Sequence, residues 1–100
     1  MKKRIRFSQE YPKLQKEEFT TIRKNTKYYI LGETYKIITP KHKFIARIQC
    51  LRKAGKELIT EEFAKQDADC SAEELIKTLE KRYGEKYNDF IIITLKKKAR

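Results

Sequence analysis

The sequence predicts an α+β domain in which antiparallel strands curl into a small β-barrel with two helices at its side. Three observations predict this class. Apolar and polar residues alternate over 43–53, as in a half-buried strand. Ser71 and Glu74 have the spacing of a helix capping box. An unbroken apolar run over 90–93 is typical of a central strand covered on both faces. We expect one domain over residues 1–100.

The N-terminal segment predicts a strand and then a short irregular element. Over 3–7, Ile5 and Phe7 share one face and two arginines occupy the other, so the strand is amphipathic. Residues 8–18 predict a short helix or an irregular turn, because Pro12 is tolerated in a first helical turn.

Two further strands are predicted before the long one. The β-branched residues over 19–23 favour a short strand, which a loop over 24–27 follows. Gly32 can adopt the positive φ that a turn requires, so we expect a turn at Gly32 and a strand over 33–39 after it. Pro40 ends that strand.

The long strand over 43–53 is predicted to turn one face to the core. Every second residue from Phe44 lies on that face, which gives Phe44, Ala46, Ile48 and Cys50. We therefore expect Cys50 to be a small buried hydrophobe. A turn over 54–56 ends the strand.

Two helices follow. Thr60 is the predicted N-cap of the first, which has two glutamates in its opening turn and ends near Asp67. Ser71 caps the second helix, and Gly84 ends it. An apolar stripe with helical spacing marks the buried face of this helix: Ala72, Leu75, Ile76, Leu79 and Tyr83.

The net charge of +11 is segregated along the chain. Residues 1–56 carry 16 Lys and Arg against 4 Glu, whereas residues 57–89 carry 5 basic against 10 acidic residues. A basic majority beside one acidic segment predicts a polarised molecule that attracts polyanions on one side. The partners that fit are RNA or, as an alternative, an acidic protein. No oligomeric state is predicted.

The sequence gives no sign of a metal site, a cofactor or a membrane segment. Cys50 and Cys70 lack the close spacing of a zinc or redox pair, and His42 is predicted to be a surface loop residue. No run reaches the roughly 18 apolar residues of a membrane span. No apolar segment follows the basic N-terminus, so we expect no signal peptide, no membrane partner and a cytoplasmic protein.

The order and spacing of several short segments resemble the ASCH domain family of the PUA-like superfamily, over nearly the full length of the chain. The segments are Thr21-Ile22-Arg23, Leu31-Gly32-Glu33-Thr34-Tyr35, Ile59-Thr60-Glu61-Glu62, Tyr83 and the strand from Phe90 to Leu95. The resemblance implies a PUA-like barrel with a cleft beside the Thr-Ile-Arg strand. It also implies the role proposed for the family, which is to bind RNA during transcription or translation.

The family motif GxKxxxxR is only partly present. Laid on residues 16–23, it places Lys16 at the Gly position, Glu18 at the Lys position and Arg23 at the Arg position. Some members hydrolyse acetylated cytidine with a Lys, a Thr and a Glu, and the resemblance assigns these roles to Glu18, Thr21 and Asp67. Because an acid replaces the lysine, we expect no such hydrolysis, and an altered acid–base pair is the alternative.

The residues expected to bind RNA lie along this strand and the following turns. They are Thr21, Arg23, Lys24, Lys27, Lys41, Lys43 and Arg47. Arg23 offers a planar fork of donors suited to phosphate, and the alternative is an ion pair with Glu18 or another acid. Tyr28, Tyr29 and Tyr35 are either stacking faces for bases or core residues.

Overall fold

The computed structural model describes residues 3–98 and contains five strands and two α-helices. The elements are β1 (Lys3–Arg6), β2 (Glu18–Lys24), β3 (Thr34–Ile38), β4 (Lys43–Ala54), α1 (Glu61–Ala68), α2 (Ala72–Tyr83) and β5 (Phe90–Lys97). Short 3₁₀ helices lie at Pro12–Gln15 and Lys56–Leu58. The α+β class is confirmed. Within residues 3–98, neither helix is long and apolar enough to cross a membrane.

The five strands form one curled sheet, a half-barrel, in the order β1-β3-β4-β5-β2. Three of the four strand pairs are antiparallel, as predicted, but β1 and β3 are parallel. Between them the chain crosses to the other edge of the sheet to form β2, and such a long crossover permits parallel pairing. The half-barrel therefore has two edge strands, β1 and β2.

All five strands contribute to an apolar core on the inner, concave face of the sheet. Its buried members are Ile5, Phe7, Leu14, Phe19, Tyr35, Ile37, Ala46, Ile48, Ile91, Ile93 and Leu95. Phe7 lies just beyond β1 and Phe19 lies on β2, and their ring centroids are 6.2 Å apart. The core thus brings the two edges of the sheet toward each other.

The helices cover part of the outer face of the sheet. Ile22, Ala54, Phe90 and Ile92 pack there against α1 and α2. Strand β5 alternates between the two cores, which confirms the prediction that it is covered on both faces. The caps are also confirmed: Thr60 accepts a hydrogen bond from the Phe63 N–H, and Ser71 forms a capping box with its partner glutamate.

The prediction that Cys50 is buried is wrong, because a β-bulge interrupts β4. Ile48 lies opposite Leu95 and Cys50 lies opposite Thr94, so two steps along β4 match one step along β5. The bulge reverses the alternation that follows it. Cys50 is exposed, and Leu51 packs against the inner core instead.

Candidate functional site

Arg23 links the two edges of the half-barrel. Its Nε donates to Thr21 Oγ1 at 3.1 Å, and its Nη2 donates to the backbone carbonyl of Arg6 at 2.7 Å. The guanidinium carbon lies 4.8 Å from the centroid of the Phe7 ring. Arg23 is therefore held by the end of β1, and Glu18 is not its partner.

The loop after β2 covers the same free edge of β1. The hydroxyl of Tyr28 accepts from the Arg4 N–H at 2.7 Å and donates to the Arg4 carbonyl at 2.6 Å. Tyr35 is fully buried, and its hydroxyl donates to the Tyr28 carbonyl at 2.7 Å. Because an unpaired strand edge invites association with other chains, these contacts protect the edge. Tyr28 and Tyr35 thus have structural roles here.

A buried ion pair lies beside Thr20. Lys13, in the first 3₁₀ helix, places its Nζ 3.2 Å from Asp67 Oδ1, and both side chains are 5% exposed. Thr20 Oγ1 donates to the same oxygen at 2.9 Å. Burial lowers the pKa of Lys13, and the attraction of Asp67 opposes that shift without cancelling it.

These groups surround a small cleft between the end of β1, strand β2 and the helices. Its volume is about 70 Å³, and its charged lining residues are Arg6, Lys13, Arg23, Asp67 and Arg82. Among the described residues that line it, Asp67 is the only carboxylate. Since Lys13 neutralises Asp67, three arginines from β1, β2 and α2 leave the cleft positively charged.

The proposed acid–base residues are not all in this cleft. Thr21 and Asp67 line it, but Glu18 lies at the start of β2, opposite Lys96. Glu18 instead lines a separate depression with Lys13 and other residues.

The other predicted binding residues spread over the surface. Lys24 is exposed at the end of β2, with its Nζ 5.3 Å from the centroid of the Tyr87 ring. Lys27 is exposed in the following loop, and Lys41 in the turn between β3 and β4. Lys43 and Arg47 are exposed on the outer face of β4, away from the inner side to which Arg23 belongs.

Tyr29 lies close to the cleft. Burial raises the pKa of its phenol, and the positive charge of Arg23 opposes that shift. Tyr29 packs against the inner core, so its ring is partly covered.

Sequence reasoning missed two residues of the cleft, Lys13 and Arg82. Lys13 is separated from Asp67 by 53 residues, and only the packing of the 3₁₀ helix against α1 joins them. Arg82 lies in the acidic segment, where charge segregation suggests no cation site. Arg82 is exposed, but its helical spacing from the buried residues Leu75 and Leu79 places it beside the packed face of α2, and this spacing is the signal that could have identified it.

The described residues contain no group of three His, Cys, Asp or Glu side chains placed to hold a metal ion. The His42 side chain is 59% exposed, as expected of a surface loop residue, and its Nδ1 lies 3.3 Å from Glu10 Oε2. Comparison of the chain with protein-family models, with curated proteins and with solved structures found no match. The ASCH resemblance therefore stays a prediction.

Proposed function

We propose that the protein is a small RNA-binding module and that its half-barrel is a PUA-like fold. The observation that carries the proposal is the convergence of Arg6, Arg23 and Arg82 on one cleft whose single carboxylate is neutralised. Charge of one sign in a partly enclosed cleft attracts a polyanion. Arginine matches phosphate geometry with paired donors.

The size of the cleft favours a phosphate over a whole nucleoside. Sites that enclose small molecules occupy roughly 300 to 1,000 Å³. The cleft, at about 70 Å³, is much smaller. A phosphate on an RNA backbone needs only to touch the arginines, because the rest of the polymer stays outside.

The cysteines support a cytoplasmic setting for this function. Cys50 and Cys70 are free thiols. Free thiols are typical of reducing compartments. We propose that the protein acts on RNA in the cytoplasm.

Arg82 provides the sharpest test, because among residues 3–98 its side chain forms no ion pair and no hydrogen bond like those of Arg23. Arg82→Ala is expected to weaken binding of a labelled RNA hairpin. It should also lower the slope of log affinity against log salt by about 0.7 to 0.9 if one phosphate contact is lost. Lys81→Ala, on the same helix but outside the cleft, is the matched control. Equal affinities and slopes for both variants and the unaltered protein would refute a cleft contact.

The second candidate is an amide hydrolase with an altered catalytic set. Lys13, Thr21 and Asp67 line the same cleft, and Thr20 donates to Asp67, so Lys13 brings to this cleft the lysine that position 18 lacks. The lowered pKa of Lys13 suits a base that activates Thr21. The engagement of Lys13 by Asp67 makes this the weaker candidate.

Acetate release from acetylated cytidine tests the hydrolase. We expect no turnover. Turnover that disappears in both Lys13→Met and Thr21→Val, while both variants stay folded, would make the hydrolase the better reading.

A further inference from the structure

Part of the outer face of the sheet is not covered by the helices. The helices pack over β2, β5 and the end of β4, whereas within residues 3–98 the outer sides of β1, β3, the first half of β4 and the end of β5 contribute no residue to the apolar cluster under the helices. We call this surface the open face. Its basic residues outside the cleft are Arg4, Lys36, Lys43, Arg47 and Lys96.

The strand register places cations of the open face directly opposite one another. Arg4 lies opposite Lys36, and Arg47 lies opposite Lys96. Like charges at opposite positions destabilise a sheet. Within residues 3–98, none of these four forms an ion pair. Glu18, opposite Lys96 on β2, is the acidic residue nearest to them in the register.

The spacing of these cations forms a regular grid. Neighbouring strands are about 4.8 Å apart, and residues that share a face recur about every 6.6 Å along a strand. Such a grid offers several positive charges to a polymer that carries regularly spaced negative ones. Charge complementarity therefore identifies the occupant as a polyanion.

We propose that the open face binds the phosphates of double-helical RNA. The proposal rests on the RNA-binding function and adds a second contact surface to the cleft. The outward residues of the open face include no aromatic ring, and proteins that hold unpaired RNA stack its bases on aromatic rings. Paired RNA is recognised mainly through its shape and backbone, which lysines and arginines alone can contact.

The test compares Arg47→Gln/Lys96→Gln with Lys81→Gln/Lys86→Gln, a pair of exposed lysines on the helical side that loses the same charge. Binding to a labelled RNA hairpin and to a single strand of the same composition is measured by fluorescence anisotropy across a salt series. We expect the open-face variant to bind the hairpin at least tenfold more weakly, with a salt slope lower by about 1.5. We expect the control to change little.

Stability separates loss of contacts from loss of fold. Because the open-face variant removes a like-charge pair, its thermal midpoint should be unchanged or higher while its affinity falls. Lower affinity caused by a lower midpoint would overturn the inference. The inference would also be overturned if the open-face variant lost equal affinity for the hairpin and for the single strand. It would be overturned too if the unaltered protein bound poly-glutamate as tightly as the hairpin.

Failure of this inference is distinguishable from failure of the proposed function. If Arg82→Ala weakens hairpin binding and the open-face variant does not, the open face is not an RNA surface, but the proposal that the cleft binds RNA is retained. If only the open-face variant weakens binding, the open face is confirmed and the cleft contact is wrong. If the unaltered protein binds neither RNA at low salt, both proposals fall.

Discussion

The buried pair of Lys13 and Asp67 should respond very differently to losing one partner and to losing both. At an effective dielectric constant of about 20, charges 3.2 Å apart attract by about 5 kcal/mol. Removing two such ions from water costs several kcal/mol each. The pair as a whole thus contributes little net stability. Loss of one member, however, leaves the other charge buried without compensation.

A double-mutant cycle with Lys13→Met and Asp67→Asn measures this difference. Each single substitution is expected to lower the free energy of unfolding by about 3 to 5 kcal/mol. For a domain of this size, the thermal midpoint should then fall by at least about 12 °C. The double variant should lose less than either single one, because no buried charge remains unpaired. Urea unfolding followed by circular dichroism supplies the free energies.

An exposed pair in the same protein provides the control. Lys77 Nζ lies 3.1 Å from Glu73 Oε1, almost the same separation, but the side chains are 71% and 77% exposed. The cycle with Lys77→Met and Glu73→Gln should show a coupling of only about 0.3 to 0.5 kcal/mol. If the Lys13 and Asp67 variants instead cost less than about 1 kcal/mol each and add independently, the reasoning from burial is refuted.

Three further predictions concern other elements. Ser71→Ala removes the N-cap of α2 and should cost about 1 kcal/mol of unfolding free energy, measured in urea, while leaving affinity for the RNA hairpin unchanged. Cys50 should react with iodoacetamide faster than Cys70 in the native protein, followed by mass spectrometry, because burial and neighbouring carboxylates raise the pKa of the Cys70 thiol. The hydrogen bond from Thr39 lowers the pKa of Glu10. The stability that ionised Glu10 contributes is therefore present above about pH 4.5 and is lost as the pH falls through the lowered pKa. Glu10→Gln should flatten this acid dependence when the free energy of unfolding is measured against pH.

Local signals predicted the elements that local chemistry determines. The N-caps of both helices, the capping box of α2 and the glycine that ends α2 depend on residues close in sequence, so Thr60, Ser71 and Gly84 could be assigned from sequence. The apolar run at the start of β5 also predicted its position between two cores. Each of these features depends on neighbours along the chain.

The features that sequence reasoning missed depend on contacts between distant segments. The bulge before Cys50 is defined by the pairing of β4 with β5, and the alternation of apolar and polar residues within β4 does not indicate it. Lys13 and Asp67 meet because a 3₁₀ helix packs on α1. The parallel pairing of β1 and β3 follows from the path of the whole chain between them. The spacing of residues within one segment cannot predict contacts of this kind between distant segments.

The proposed function gives Arg23 two roles, one in the fold and one in binding. Its guanidinium has five N–H donors, and the hydrogen bonds to Thr21 and to the Arg6 carbonyl use only two of them, so the fold does not occupy every donor. The contacts to Thr21, Arg6 and Phe7 hold the guanidinium in place, which under the proposed function would lower the entropy lost when a phosphate binds. The same contacts join the edges of the half-barrel, so Arg23→Ala should reduce stability and affinity together. Arg82, which faces the same cleft without such contacts, is therefore the residue that separates binding from folding.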